Sequence, residues 1–489
     1  FADAPGGDVL LVSALFLPMT VAFGAAFPFA VAVASGRDDT VTEHLGRIYA
    51  INTLGAILGA LLAGFVLIPA VGLHLTIRAV AATSAIMAIA ILVRARQSAG
   101  RLVGFALTAA VLAAIAVVPH WDRSLLSSGA YKYAPAMRGS NLATPLTAGE
   151  LLSYREGSAG TVAVRKLTGT ISLAIDGKVD ASNAGDMLTQ RMLAHVPLLL
   201  HPNPKRAAIL GLGSGVTLGS ALTHPLDEAT VLEISPEVVA ASDFFKEENH
   251  HALEDKRTRL IVGDGRTHLM LGTGTYDVIV SEPSNPWMAG IASLFTKEFF
   301  AGARARLAPG GVLCQWAHTY DISNADLRSI VATFLSVFPD GTLWLVGDAD
   351  VLLVASTEPL EARIDGIAAA MQRPGVAADL ASVGVKGPFS VTSLFVAQGD
   401  ALKAWAGDAP LQTDDRSALE FSGPRSIFST ARDDNATALR ELAAASPKPA
   451  AVSRALASAP PEDLRNRGLM LFKADAHRAP YDGLAKGLG

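Results

Sequence analysis

Residues 205–222 read KRAAILGLGSGVTLGSAL, and this stretch decides the fold. A short apolar run at 207–210 breaks into Gly211, Gly213, Ser214 and Gly215, and a helix-like pattern resumes at Val216. A strand that ends in a glycine loop before a helix brings bare backbone N–H groups close to a ligand. The stretch therefore predicts a strand, a ligand-binding loop and a helix in direct succession.

Three more apolar runs follow, and each ends in a polar residue. ATVLEIS ends with Glu233, RLIVGDG leads to Asp264 and Gly265, and YDVIVSEPSNPW leads to Glu282 and Asn285. Glu233 lies about 20 residues beyond the glycines, where an acid of such a unit reaches ribose hydroxyls. Any single run could be an ordinary strand-to-helix turn. Four strand ends at one edge of a parallel sheet instead predict a nucleoside pocket.

Composition bounds the class of protein. The chain has 489 residues, enough for two or three domains, and half of them are hydrophobic. Its net charge of −5 carries no basic excess, so we expect no nucleic-acid partner. The single cysteine, Cys314, cannot form an internal disulfide and reads as a buried strand residue. The chain begins at Phe1 without a methionine, as expected of a fragment or a processed form.

The apolar excess lies in the first 120 residues. Apolar runs occupy 9–34, 48–73, 75–93 and 103–118, and the first three are long enough to cross a bilayer. Gly55, Gly59 and Gly64 leave room for close contact between helices. The alternative is a set of buried helices in a soluble protein. We expect a multi-pass membrane domain of about four spans at 1–120, embedded in the lipid bilayer of a bacterial inner membrane.

The loop charges bear on orientation. The loops after the first and third runs carry five arginines: Arg37, Arg47, Arg94, Arg96 and Arg101. The positive-inside rule places them in the cytoplasm, which with four spans puts everything after His120 outside. A pocket for a cytosolic nucleoside favours the opposite orientation, because its ligand must be supplied from the cytoplasm. We take a cytoplasmic catalytic domain as the expectation.

The remaining chain divides into four regions. A polar, turn-rich linker is expected at 121–150, and a small β unit of two or three antiparallel strands at 151–184, with turns at Thr168-Gly169 and Asp176-Gly177. An amphipathic helix, MLTQRMLAHVPLLL, opens the nucleoside-binding domain at 185–358. The tail at 359–489 reads as helices of undefined function.

This order of features resembles the spermidine synthase (polyamine aminopropyltransferase) family over residues 151–354. The resemblance rests on the β unit, the helix ending LAHVPLLLHPNPKR, the glycine loop, the acidic strand end, GDGR and SEPSN. Joined to N-terminal spans, the chain is similar to membrane-fused spermidine synthase-like proteins of bacteria. The resemblance implies an α/β Rossmann-like fold of the methyltransferase type. It also implies transfer of an aminopropyl group from decarboxylated S-adenosylmethionine to an amine of putrescine.

The resemblance carries over residue by residue. Glu233 matches the family's ribose-binding acid, and Asp264-Gly265 matches its adenine-binding pair. Ser214 stands where the family has an acid that grips the amine of the donor. Glu282 and Asn285 stand at two aspartates that deprotonate and hold the acceptor amine.

Three further positions depart from the family. Thr189 and Gln190 replace a tyrosine and a histidine, and Asp180 replaces a glutamine. The resemblance therefore implies a retained nucleoside half and an altered polyamine half. With Ser214 in place of an acid, the donor is either the decarboxylated form or ordinary S-adenosylmethionine, and both stay open.

The chemistry selects one base. A sulfonium already activates its neighbouring carbon, so the protein must position a nucleophile and remove its proton. Glu282 is the strand-end acid placed to do so. Trp287, Gln315 and Tyr320 are candidate substrate contacts, with packing as the alternative for Trp287. The histidines lack a metal spacing, so no metal is expected.

We therefore expect a membrane-anchored, aminopropyltransferase-like enzyme that joins a sulfonium donor to a small amine or another nucleophile. One alternative is methyl transfer from S-adenosylmethionine, or its cleavage or cyclisation to methylthioadenosine. Another is a membrane sensor or transporter that binds the nucleoside without turnover. The sequence leaves the oligomeric state open, a homo-oligomer included.

Overall fold

The computed structural model describes residues 5–35, 41–94, 99–137, 141–427 and 432–476. The chain forms two compact units. The first comprises Phe1–Asp122 with Glu156–Ser158, and the second comprises Arg123–Arg155 with Ala159–Gly489.

The first unit is helical. Its helices are α1 (Pro5–Ser35), α2 (Val41–Leu62), α3 (Ile68–Val71), α4 (Leu73–Arg94) and α5 (Ala99–Val117), with a π-helical turn at Ala63–Leu67. Within the described residues, four segments are long and apolar enough to cross a membrane: Leu10–Val33, Leu45–Val71, Leu73–Arg94 and Gly100–Val117. Most of their large apolar side chains are exposed, as expected of surfaces that face lipid. Arg37 and Arg96 lie outside the described residues.

The second unit opens with three short helices, α6 (Arg123–Leu126), α7 (Ala130–Tyr133) and α8 (Ala143–Leu146). The sequence predicts a linker here, whereas the structure packs the segment against the β unit. Arg165 donates hydrogen bonds to the carbonyl oxygens of Ser124 (2.8 Å) and Thr147 (3.1 Å). A side chain of the β unit thus satisfies backbone carbonyl groups of residues 123–147. The composition of the segment does not reveal this contact.

The β unit has four strands, where the sequence predicts two or three: β1 (Glu150–Gly157), β2 (Gly160–Leu167), β3 (Thr170–Ile175) and β4 (Lys178–Ser182), in that order across the sheet. β3 pairs antiparallel with β2 and with β4. β1 has no buried residue, so it lacks the apolar alternation that reveals a strand in a sequence.

The large sheet has eight strands in the order β12-β10-β11-β9-β8-β5-β6-β7 among the described residues. Its members are β5 (Arg206–Leu210), β6 (Glu228–Glu233), β7 (Thr258–Val262), β8 (Tyr276–Ser281), β9 (Leu307–His318), β10 (Thr342–Val346), β11 (Asp350–Ser356) and β12 (Phe395–Gln398). β5 pairs in parallel with both β6 and β8, so the strand order reverses at β5. Such a reversal is a topological switch point, where open α/β sheets bind ligands. The predicted Rossmann-like α/β domain is confirmed.

The C-terminal region is predicted to be helical, yet it also supplies β12. That strand pairs antiparallel with β10 and extends the sheet beyond residue 358. The helices of this unit are α9 (Met187–Leu200), α10 (Val216–Leu222), α11 (Pro236–Ala241), α12 (Gly265–Leu271), α13 (Lys297–Ala305), α14 (Asn324–Val337), α15 (Glu361–Ile364), α16 (Ile367–Ala370), α17 (Val376–Ser382), α18 (Pro388–Thr392), α19 (Gly399–Ala406), α20 (Leu419–Ser422), α21 (Arg432–Ala445), α22 (Ala450–Ala457) and α23 (Pro461–Ala476).

Two apolar cores cover the two faces of the large sheet. One contains the buried face of α9 together with Val280 and Cys314, and the other contains Phe299 and Phe334 of α13 and α14. Cys314 is fully buried in the middle of β9.

A buried polar network ties α9 to α17. Asp379 of α17 pairs with Arg191 and accepts from His195 Nε2 at 2.8 Å. His195 Nδ1 lies 2.9 Å from His224 Nε2, and His250 Nε2 lies 2.6 Å from Asp379. Burial alone would raise the pKa of Asp379, but the hydrogen bonds from the histidines and the charge of Arg191 hold it well below its usual range.

Candidate active site

A cavity of about 1550 Å³ lies at the carboxyl ends of the parallel strands. The β unit, α7, α9, the glycine loop and the loops after β6, β7 and β8 contribute its walls. Twelve of the predicted site residues line it: Asp180, Thr189, Gln190, Gly211, Gly213, Ser214, Glu233, Asp264, Gly265, Glu282, Trp287 and Tyr320.

The glycine loop lines the cavity through Gly211, Gly213 and Ser214. Gly211 has a φ of +95°, and a Cβ there would lie 2.5 Å from the carbonyl oxygen of Glu282, so glycine is required. Gly215 precedes α10 as its N-cap residue but does not line the cavity, contrary to prediction. A Cβ at Gly215 would approach Asn249 Nδ2 to 3.0 Å, so this glycine serves packing.

Glu233 ends β6 with an oriented carboxylate. Its two oxygens accept from the backbone N–H groups of Leu212 and Ser235, both at 2.9 Å. Burial raises the pKa of Glu233, although these backbone donors counteract the rise. Asp264 is more exposed and caps α12 by accepting from Arg266 N at 3.0 Å. Both acids border the end of the cavity formed by the loops after β6 and β7.

A hydrogen-bonded chain links Ser214 to a carboxylate. Ser214 Oγ donates to Gln190 Oε1, and Gln190 Nε2 donates to Asp186 Oδ2 at 3.0 Å. Asp186 lines the cavity at the N-cap position of α9. Ser214 stands where the family resemblance implies an acid, and Asp186 is connected to it through the side chain of Gln190. Sequence reasoning missed Asp186, although its place just before a predicted helix was a usable signal.

Glu282 follows β8 and accepts from Thr217 Oγ1 at 2.7 Å. Burial, followed by the charges of Asp186, Asp350 and Asp180, raises the pKa of Glu282 to about 8 against the hydrogen bond from Thr217. A carboxyl group with this pKa exchanges its proton near neutral pH, as a general base must.

Asp350 is a second acid that sequence reasoning missed. It begins β11, is buried, and lines the cavity. Its carboxylate accepts from Trp316 Nε1 at 3.2 Å and from Thr189 Oγ1. The antiparallel register pairs Asp350 with His318, which brings the start of β11 beside the end of β9.

Lys178 and Asp180 form an ion pair inside the cavity. Lys178 Nζ lies 2.6 Å from Asp180 Oδ1, and both side chains are largely buried. The other oxygen, Oδ2, is buried without a hydrogen-bond partner within the described ranges.

Aromatic residues contribute part of the cavity wall. Tyr131 of α7 meets Trp287 edge-on, with ring centroids 6.5 Å apart. Lys132 pairs with Asp321 and lies 5.4 Å from the centroid of the Trp287 ring. Trp287 therefore both lines the cavity and packs against α7.

Asn285 and Gln315 are predicted contacts that do not line the cavity. Side chains alternate along β9, so Trp316 faces the cavity and Gln315 points to the opposite face of the sheet. Asn285 is fully buried at the start of a tight turn in which Met288 N donates to its carbonyl oxygen at 3.0 Å.

The part of the chain that the structure describes contains no group of three or more His, Cys, Asp or Glu side chains suited to a metal ion.

A doubly wound sheet with a carboxylate-lined cavity at its switch point defines a Rossmann-like α/β domain. Residues 186–346 match the family model described as the spermine/spermidine synthase domain, which confirms the resemblance inferred from the sequence.

Curated relatives carry matching names. Spermidine synthase of Dictyostelium discoideum is 33% identical over 152 residues, which is 30% of this chain and 53% of that protein. Polyamine aminopropyltransferase of Bacillus mycoides is 35% identical over 141 residues, or 29% of this chain and 51% of that one. The chain thus spans about half the length of these relatives. Among solved structures, spermidine synthase from Thermotoga maritima is 22% identical to this chain, with a TM-score of 0.38. The match covers 42% of this chain and 73% of the Thermotoga maritima chain.

Proposed function

We propose that the chain is an aminopropyltransferase that passes the aminopropyl group of decarboxylated S-adenosylmethionine to a cationic amine. One observation carries this proposal: Glu282 shares its cavity with Asp180, Asp186 and Asp350. Carboxylates gathered at one partly dry site attract cations and repel anions. Both the sulfonium donor and an amine acceptor are cations.

The same charges favour the decarboxylated donor. Glu233 and the glycine loop would hold its nucleoside, while Asp186, acting beside Gln190 and Ser214, would attract its amine. The carboxylate of ordinary S-adenosylmethionine would face like charges at this end of the cavity, which is unfavourable.

The reaction needs one proton acceptor. Glu282 takes one proton from the ammonium of the acceptor, and the amine that results attacks the methylene carbon bonded to sulfur. The C–N bond forms as the C–S bond breaks, the bonding pair stays on sulfur, methylthioadenosine leaves as a neutral thioether, and the product keeps its new secondary ammonium. The raised pKa makes Glu282 a stronger base than an ordinary carboxylate.

The proposal is tested on the full chain in detergent, incubated with decarboxylated or ordinary S-adenosylmethionine, each with and without putrescine. We expect methylthioadenosine, followed by mass spectrometry, only when the decarboxylated donor and putrescine are both present. Its release from ordinary S-adenosylmethionine alone would mean cleavage or cyclisation, and S-adenosylhomocysteine would mean methyl transfer. Tight binding without product would indicate a sensor or transporter.

Glu282→Gln should reduce kcat about 10²- to 10⁴-fold, because the amide cannot accept the proton. Donor binding, measured by calorimetry, should persist. The exposed Glu361→Gln on α15 is the matched control. If Glu282→Gln turned over at the wild-type rate, Glu282 would be excluded as the base.

We further propose that the four candidate spans anchor the enzyme in a bilayer, with the second unit in the cytoplasm. The supply of a cytosolic nucleoside supports this side, whereas Arg47, Arg94 and Arg101 favour the opposite one. A green fluorescent protein fused to the C-terminus should fluoresce if the second unit is cytoplasmic, and an alkaline phosphatase fusion should be active if it is not.

A further inference from the structure

Lys178 is the least expected side chain of the cavity. It begins β4, is 5% exposed, and places its ammonium 2.6 Å from Asp180. Lysines are almost never this buried unless they are paired. A binding site for cations therefore contains a cation of its own.

The position of this ammonium is defined by its neighbours. Burial and, after it, the charge of Lys178 lower the pKa of His318 to about 3. The charge of Lys178 also opposes the rise that burial causes in the pKa of Tyr131. The next residue, Val179, donates its N–H to the hydroxyl of Tyr133 in α7 at 3.3 Å, so Lys178 lies beside α7. We assign this part of the cavity to the acceptor.

The acceptor half holds three carboxylates that a substrate could reach. Glu282 would receive the reacting amine, and Asp350, held by Trp316 and Thr189, would receive a second ammonium. Asp180 is already matched by Lys178 on one oxygen. Since an uncompensated buried charge is costly, Lys178 stabilises Asp180 when a short acceptor leaves this position vacant.

The size of the cavity does not limit the acceptor. At about 1550 Å³ it exceeds the roughly 300–1,000 Å³ of ordinary small-molecule sites. Because the volume of the cavity selects weakly among amine acceptors, the charges of its lining residues must select among them.

We propose that Lys178 makes the site select diamines over longer polyamines, because its ammonium occupies the place on Asp180 that a third substrate ammonium would need. This inference rests on the proposed aminopropyl transfer. A triamine entering the wild-type cavity would bring its third charge against Lys178, whereas a diamine would not.

The test compares putrescine with spermidine as acceptors, with decarboxylated S-adenosylmethionine as donor. Lys178→Met keeps an unbranched side chain, shorter by one atom, and removes its charge. We expect the ratio of kcat/KM for spermidine to kcat/KM for putrescine to rise about tenfold or more. Each variant is assayed at its own pH optimum.

Three variants complete the design. Lys178→Arg retains the charge and should keep the wild-type ratio, and Lys166→Met removes an exposed lysine of β2 as the matched control. In the double variant Lys178→Met with Asp180→Asn, the ratio of kcat/KM for spermidine to kcat/KM for putrescine should not rise. The reason is that the carboxylate that would bind the third ammonium has been removed. An unchanged ratio in Lys178→Met, with donor binding and Tm preserved, would overturn the inference.

Failure of the proposed function is distinguishable from failure of this inference. If the wild type releases no methylthioadenosine with any amine, aminopropyl transfer is excluded. Binding of putrescine and spermidine to protein saturated with methylthioadenosine is then measured by calorimetry. Tighter spermidine binding by Lys178→Met would uphold the role of Lys178, and unchanged binding would reject it.

Discussion

Glu282 and Asp350 reach one cavity from different strands, and the charge of Asp350 acts on Glu282. Like charges favour the protonated form of a carboxyl group, which is why Asp350 contributes to the raised pKa of Glu282. Thr189 and Trp316 bind Asp350 and fix the direction of its carboxylate. The pKa of Glu282 thus depends on a residue outside its own loop.

This coupling predicts a shift in the pH profile. The unprotonated form of Glu282 is the active one, so kcat/KM should rise as pH increases through about 8 in the wild type. Asp350→Asn removes a negative charge, lowers the pKa of Glu282 and should move this rise to lower pH. The KM for putrescine should increase about tenfold, because a charge-assisted hydrogen bond to its distal ammonium is lost.

Asp348→Asn is the matched control, since Asp348 lies two residues away and pairs with Arg440. It should leave both quantities unchanged. An unshifted pH profile in Asp350→Asn would show that the titrating group is not coupled to Asp350.

At this scale the sequence predicted the residues fixed by local pattern. Gly211, Glu233 and Glu282 each follow an apolar run directly, so their place at the sheet edge is readable. Asp350 reaches the cavity only through the register of β11 against β9, which is set by distant pairing. Gln315 was misplaced because the exact end of a strand, and hence its facing side, is not encoded locally.

Helix α9 connects the cavity to the C-terminal region. Its first turns contribute Thr189 and Gln190 to the cavity, and its next turns contribute Arg191 and His195 to the network around Asp379. The sequence predicted the helix, but not its partner, because His195 and Asp379 are 184 residues apart. Strand β12 escaped prediction for a similar reason, since its pairing with β10 decides its conformation.

The network predicts acid-sensitive folding. Burial lowers the pKa of His195 and that of His224, so both stay neutral in the folded state. As pH falls below about 6.5, the unfolded chain binds protons that the folded chain does not, and stability decreases. The lowered pKa of Asp379 adds a loss of the same sign nearer pH 4.

His224→Gln should therefore lose less stability than the wild type between pH 7 and pH 5, by up to about 1.4 kcal/mol per pH unit. Unfolding of the detergent-solubilised chain across this range measures the two slopes. Glu282, whose raised pKa acts in the opposite direction, is present in both proteins and cancels in the comparison. His251→Gln, at a half-exposed position, is the control, and parallel curves for His224→Gln and the wild type would contradict the assignment.

The whole chain combines a unit of apolar, exposed helices with a unit that has two cores of its own. Hydropathy alone predicted this division, since membrane-length apolar runs are the strongest signal that a sequence carries. Membrane insertion and its direction depend on lipid, loop charge and partners beyond the fold.

The division predicts how the chain should fractionate. The full chain should stay in the membrane pellet after carbonate extraction at high pH, because four helices of this length resist release from a bilayer. A chain lacking residues 1–122 should move largely to the supernatant. Release of the full chain by carbonate would contradict membrane insertion, and a Lys166→Met variant of the full chain controls for changes in surface charge.

The position of Cys314 has a practical consequence for spectroscopy. It is the one thiol of the chain, and it lies fully buried in β9. Burial and the nearby charge of Glu282 raise its pKa, so the reactive thiolate is scarce at neutral pH. A cysteine introduced at an exposed position such as Lys166 would take up a maleimide fluorophore or a spin label selectively, without prior removal of native thiols. Distances and motions in this protein are therefore open to single-site labelling in detergent or in nanodiscs.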